Sequence, residues 1–183
     1  TVKLVTVVDL ETFPDDGKRY EIVEGALFVS PAPSRAHQTI LRELLLLIQG
    51  VLGASRLGQA FFAPVDVRFT DFDQVQPDLV VLLNATLHAY RGNTVFAPPD
   101  MVVEAISPSS RRYDAERKFA LYAEHGVREY WLADPERRTL RAYVLRHAAY
   151  EEIAPVEGWL TSIVIPGLSV DIARLFASLD EDF

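Results

Sequence analysis

Two apolar runs occupy the middle of the chain, Asp78-Leu79-Val80-Val81-Leu82-Leu83 and Met101-Val102-Val103-Glu104-Ala105-Ile106, and each carries a single carboxylate. Their near-continuous apolar character predicts strands covered on both faces. Before them, Tyr20, Ile22, Leu27 and Val29 around Glu24-Gly25 predict two short strands between Arg19 and Ser30, joined by a tight turn or bulged at the glycine. After Pro31-Ala32-Pro33, Ser34 is an N-cap for a helix from about Arg35 to Leu52, where Leu41, Leu44, Leu45, Ile48 and Leu52 recur at helical spacing. Gly53 to Gly58 turns into a strand over Phe61 to Phe69, with Val65, Val67 and Phe69 on one face. Asp66 and Arg68 share the other face and are expected to pair across solvent. Thr70 to Val75 reads as a polar turn, and 84–100 as a loop with one helical turn at Thr86 to Tyr90.

Beyond the second buried run, Ser107-Pro108-Ser109-Ser110 offers caps to a helix from about Arg111 to His125, stopped at Gly126. Asp114, Lys118, Leu121, Tyr122 and His125 lie along one side of it. Strands follow at Val127 to Asp134, Thr139 to Leu145, Tyr150 to Pro155 and Leu160 to Val164, and a short helix closes Gly167 to Phe176. Residues 1–18 read as a docking arm ending in a turn. This order predicts an α/β (α+β) fold, one domain over 1–183 with a mixed central sheet flanked by helices.

Composition narrows the function classes. With 183 residues, 49% hydrophobic and 24% charged, the chain can bury a core without staples, and it has no cysteine for thiol catalysis, zinc thiolate or disulfide. No apolar run reaches the roughly 20 residues that span a bilayer, so a cytoplasmic protein with no membrane partner is expected. A net charge of −8 argues against a general polyanion binder. Any contact with nucleic acid needs a local basic patch, for which Arg111, Arg112, Arg117 and Arg128 are candidates, or a metal.

A buried carboxylate must be met by a cation or a proton. Side-chain parity puts Glu104 with Val102 and Ile106, and Asp78 with Val80 and Leu82. If the two strands are neighbours, Asp78 and Glu104 converge, and paired carboxylates are a common way to hold Mg²⁺ or Mn²⁺. A lysine nearby would orient water or stabilise charge on phosphorus. Blander readings stand beside these: arginine or backbone amides satisfy many buried acids, Lys118 can make a helical ion pair with Asp114, Glu21 and Glu24 read equally well as solvated, and His37 in a first helical turn is commonly a surface or hydrogen-bonding residue.

Taken together, Tyr20-Glu21-Ile22-Val23-Glu24-Gly25, His37-Gln38, Gln76-Pro77-Asp78-Leu79-Val80, Val102 to Ser109, Lys118, Tyr122 and Gly126 to Pro135 resemble a family. It is the putative restriction endonuclease family, formerly a domain of unknown function and common in cyanobacteria, of the PD-(D/E)XK nuclease superfamily. The resemblance runs from about Arg19 to Phe176. It implies a restriction-endonuclease-like fold and Mg²⁺- or Mn²⁺-dependent cleavage of DNA, commonly by a homodimer. Asp78 and Glu104 would bind the metal, Lys118 and Glu21 would complete the catalytic set, and His37 and Gln76 would support it, with Arg111, Arg112 and Arg117 on phosphates. The chain departs from the pattern at Ile106, where the superfamily has lysine, and Lys118 from the next helix is the expected replacement. The rival class is a catalytically inactive binding or structural module that kept the fold.

Overall fold

The computed structural model describes residues 4–14, 16–30, 32–107 and 110–180. In chain order its elements are α1 (Val7–Leu10), β1 (Arg19–Val23), β2 (Ala26–Ser30), α2 (Arg35–Ser55), β3 (Gly58–Phe62), β4 (Asp66–Thr70), β5 (Asp73–Val75), β6 (Leu79–Leu83), β7 (Tyr90–Arg91), β8 (Thr94–Val95) and β9 (Met101–Ala105). Next come a π-helical turn (Tyr113–Lys118), α3 (Phe119–Glu124), β10 (Glu129–Asp134), β11 (Thr139–Arg146), β12 (Ala149–Ile153), β13 (Trp159–Thr161), β14 (Ser169–Asp171) and α4 (Ile172–Ala177). The expectations for Pro31, Pro108 and Ser109 fall outside the described residues.

The two apolar runs are neighbours. A six-stranded sheet runs β12-β11-β10-β9-β6-β3, with β6 and β9 antiparallel and β9 and β10 parallel. Its two faces carry separate cores. Leu79, Val81, Met101 and Val103 pack against Ile40, Leu44, Ile48 and Leu52 of α2 and the Leu168–Phe176 segment. Val80, Leu82, Val102 and Ile106 face the other way, onto Val23, Val67 and Val75 and onto Leu121 and Tyr122 of α3. That second layer is another six-stranded sheet, β2-β1-β5-β4-β8-β7. Period-two alternation with both faces covered is the reason these strands look uniformly apolar in sequence.

Three expectations need correction. The strand expected over Phe61 to Phe69 is two strands in different sheets, β3 and β4, parted at the Ala63-Pro64 peptide. Proline cannot donate to a ladder, and the chain changes sheets there. The turn expected at Thr70 to Val75 contains β5, whose Asp73 caps the β1–β2 turn by accepting from the Glu24 N–H at 2.7 Å. Asp66 and Arg68 do not pair: Gln76 Nε2 donates to Asp66 Oδ1 at 3.0 Å, and Arg68 reaches Asp71 at 2.6 Å. In the described part of the N-terminal segment the Val5 N–H bonds the Gly25 carbonyl and the Val7 N–H the Asp71 carbonyl, both at 2.9 Å, while Asp15 and residues 1–3 lie outside the described residues.

Candidate active site

Each layer contributes to one polar cluster buried between the sheets. Pro77 favours an extended Gln76 and delivers Asp78 to the start of β6. Because Leu79 stands opposite Val103, Asp78 lies beside the end of β9. Its N–H donates to Glu104 Oε2 at 3.3 Å, and the Ala105 N–H donates to Asp78 Oδ2 at 2.9 Å. Glu21 enters from β1 of the second sheet, where its Oε1 accepts the Gln76 N–H at 2.7 Å.

Lys118 is supplied by the π-helical turn. Its Nζ lies 2.8 Å from Glu21 Oε1, 2.9 Å from Glu104 Oε1 and 3.8 Å from Asp114 Oδ1, so it ties three carboxylates from three elements. Tyr122, one turn on, donates its hydroxyl to the same Glu104 oxygen at 2.7 Å. The Tyr113 ring sits 5.2 Å from Nζ as a cation–π neighbour. Single π turns inside helices recur at functional sites, and here the turn contains both Asp114 and Lys118.

Asp78 has its own partners. Arg19 Nη1 lies 2.5 Å from Oδ1, and His37 Nε2 lies 3.0 Å from Oδ2. His37 is held in the first turn of α2, where Ser34 Oγ accepts its N–H at 3.2 Å. Glu21 Oε2, His37 Nδ1 and the Tyr113 hydroxyl are buried without a hydrogen-bond partner among the described residues.

Burial acts on every carboxyl here, and the neighbours decide the outcome. Glu104 is pushed up to about 8 by burial, against the pull of Lys118 and with Asp78, Asp114 and Glu21 adding to the rise. Burial also lifts Asp114, to about 6. Asp78 goes the other way, held well below the usual carboxylate range because His37 and Arg19 outweigh its burial. Burial disfavours the Lys118 ammonium, but Glu104, Glu21 and Asp114 raise it well above its ordinary value. With Glu104 protonated at neutral pH, the carboxylates of Glu21, Asp78 and Asp114 still outnumber the two cations that meet them, Arg19 and Lys118.

That excess of negative charge and the hard carboxylate oxygens suit a divalent cation in type. As the side chains stand, Asp78 uses both oxygens, and Glu104 Oε1 is shared by Lys118 and Tyr122. Among the described residues no three His, Asp or Glu side chains are arranged to hold a metal. A cleft of about 170 Å³ opens on Arg19, His37, Asp78, Glu104, Asp114 and Lys118.

Asp78, Glu104, Lys118, Glu21 and His37 therefore meet at one place, and Gln76 holds Glu21 through its backbone. The arginines do not join them. Arg111 pairs with Asp134 and Glu136, Arg112 with Glu116, Arg117 with Glu24 and Arg128 with Asp100, so they form no shared basic patch. One member, Arg19, was missed in the sequence, and Tyr122 was named there on the Lys118 side of its helix without a role; each had a usable signal. Arg19 precedes Glu21 by two residues on one strand face, and Tyr122 follows Lys118 by four on one helix face.

Comparison with known proteins adds the family. A family described as "Uma2: Putative restriction endonuclease" matches residues 7–173. The chain belongs to the Uma2 family. Among solved structures, it is similar to a putative nuclease of DUF820 from Anabaena variabilis ATCC 29413, with a TM-score of 0.80 at 23% identity, covering 96% of this chain and 99% of that one. This likeness shows the fold, which is restriction-endonuclease-like as expected. A more distant likeness, to the type IIG restriction endonuclease BpuSI, has a TM-score of 0.43 at 14% identity and covers 82% of this chain and 17% of that one. No curated protein matches the chain. Uma2 membership supports a nuclease function. Among the described residues no helix is long and apolar enough to cross a membrane.

Proposed function

We propose that this Uma2 chain is a Mg²⁺- or Mn²⁺-dependent endonuclease that hydrolyses phosphodiester bonds in DNA. The observation that carries the reading is the pairing of Asp78 and Glu104 on adjoining strands, with Lys118 bonded to Glu104, beside an open cleft. Asp78 and Glu104 would hold the ion, which when bound supplies Lewis-acid polarisation of the phosphoryl group and a more acidic water.

The chain's own residues do the remainder. Lys118 donates to the attacking water or to a phosphoryl oxygen, stabilising charge as it develops on phosphorus. Glu21, itself fixed by the Gln76 N–H, holds the Lys118 ammonium at the end of a long side chain. Tyr122 orients Glu104, and His37 orients Asp78. Lys118 thus stands in for the lysine absent at Ile106, reaching Glu104 from a helix instead of from the strand. Cutting both strands of a duplex calls for two such centres, hence a homodimer, which sedimentation would detect.

Calorimetry with Mn²⁺ tests the metal role. Native protein should bind, and Asp78→Asn and Glu104→Gln should each lose more than about a hundredfold in affinity, since removing even an outer-shell partner costs about 10–100-fold. Cleavage of plasmid DNA should be lost with it. A second reading, a non-catalytic module on the same fold, is favoured by one observation: both oxygens of Asp78 are already engaged. Equal Mn²⁺ binding by all three proteins, or none by the native chain, would establish that alternative.

A further inference from the structure

The cleft at Lys118 shares a wall with a second cavity. Arg19, Pro33, His37 and Asp78 line both. The second cavity has a volume of about 390 Å³, within the roughly 300–1,000 Å³ of small-molecule sites. It lies between the first turns of α2 and the end of edge strand β3, and apart from the shared residues its lining includes Leu41, Leu45, Phe62 and Gln38.

Phe62 is the unusual member. It is 66% exposed, the side chain of an edge strand next to the proposed metal-binding Asp78. Its neighbour Phe61 points to the opposite face and packs on Tyr90 in a T-shaped contact at 4.7 Å, so Phe61 serves the core and Phe62 does not. An exposed ring lining one cavity with the aliphatic Leu41 and Leu45, with the Gln38 amide and the Arg42 guanidinium, itself paired with Glu43 at 2.8 Å, in the same lining, has the chemistry of a platform for a nucleobase.

We propose that this cavity is a nucleobase subsite, which receives a base of the substrate next to the phosphate lying at Asp78 and Glu104. The proposal rests on the nuclease reading and adds the substrate class. A base cannot stack on Phe62 while it remains stacked in a duplex, so the site takes single-stranded DNA or a nucleotide extruded from the helix. The polar centre holds the backbone and the apolar cavity holds the base. Stacking discriminates weakly among bases, because each has a π face.

The test is binding of a fluorescein-labelled oligothymidylate and of a hairpin duplex, measured by anisotropy in EDTA so that no cleavage occurs. The proteins are the native chain, Phe62→Ala, Phe62→Tyr and, as a distant control, Phe72→Ala, whose ring is also exposed. Loss of one stacked base is worth about 1–3 kcal/mol, or roughly 5- to 150-fold. Phe62→Ala should weaken oligothymidylate binding by that factor with Mn²⁺ affinity unchanged, Phe62→Tyr should restore it, and Phe72→Ala should match the native chain. Equal oligothymidylate binding by native and Phe62→Ala would overturn the subsite while Mn²⁺-dependent cleavage left the nuclease reading standing. A native chain that binds neither oligonucleotide nor Mn²⁺ would overturn both.

Discussion

Glu104 and Glu129 are buried carboxylates on adjacent parallel strands, and the difference between them separates a site from a structural tie. Glu129 is met by neutral donors. Trp131 Nε1 donates to Oε1 at 2.5 Å, while the Ser162 hydroxyl and the Ile163 and Val164 N–H groups donate to Oε2 at 3.0, 2.9 and 2.7 Å. Those bonds fasten the loop after β13 to the start of β10. Glu104 shares one oxygen between a lysine and a tyrosine, its other oxygen has a long backbone contact, and a cleft opens beside it. Burial lifts the proton affinity of both. A carboxyl that uses its acceptors on backbone and indole N–H groups holds a loop, whereas one packed among other carboxylates beside a cleft has its proton affinity set by charged neighbours that a ligand could displace.

The sharpest break of this contrast is Asp78→Asn or Glu104→Gln, with cleavage and Mn²⁺ binding falling more than about a hundredfold. The Glu129→Gln counterpart should leave Mn²⁺ affinity unchanged. Next in size are the costs in stability. Lys118→Met strands Glu21, Glu104 and Asp114 without their common cation and should cost about 3–5 kcal/mol at neutral pH. Glu129→Leu leaves the Trp131, Ile163 and Val164 donors unmet and should cost at least about 1–3 kcal/mol. Denaturant melts measure both, and a larger Mn²⁺ effect for Glu129→Leu than for Lys118→Met would undo the distinction.

A pH series sharpens it further. Glu104 in the fold sits at about 8 against an ordinary 4.5, so the folded chain holds the proton more tightly than the unfolded one. Stability should therefore fall as pH rises from about 4.5 to about 8. Asp114, lifted from 3.8 to about 6, adds a fall of the same sign over its own window. Asp78, depressed, contributes in the opposite sense, with stability present above 3.8 and lost as the pH falls below it. Metal-free protein should melt at a lower temperature at pH 9 than at pH 6. Glu104→Gln should flatten that difference; an unchanged slope would show that the proton sits elsewhere.

The smallest effects belong to the exposed arginine pairs. Arg112→Ala should change stability by no more than about 1 kcal/mol, as for other exposed ion pairs. If Arg112 leaves Glu116 to meet a phosphate, the same change lowers the salt slope of DNA binding by about 1. An unchanged slope would confine Arg112 to its surface pair.

Much of the fold was legible because burial on both faces leaves a direct mark: apolar runs at 78–83 and 101–106, and helical spacing in α2. The division of 61–69 between two sheets was not, since alternation continues through Phe61, Val65 and Val67 whichever sheet receives them. The candidate residues Asp78, Glu104, Glu21, His37 and Lys118 stood out in sequence as charged or polar positions near apolar patterns and through family resemblance. Arg19 did not, because an arginine at the start of a strand has many ordinary uses, and Tyr122 stood in the pattern without its bond to Glu104 being readable, because a tyrosine on a helix is commonly a core residue.

By itself the sequence determined the buried strands, the solvent-free positions of two acids and the family, since periodicity and motif are local. Only the tertiary structure decided which charges meet. It brings Lys118 from a helical turn to Glu21 and Glu104, sends Arg19 and His37 to Asp78, and gives the surface arginines to acids elsewhere. Coulombic and hydrogen-bond partnerships depend on separations of a few ångströms between residues far apart in the chain, and no local pattern encodes such distances.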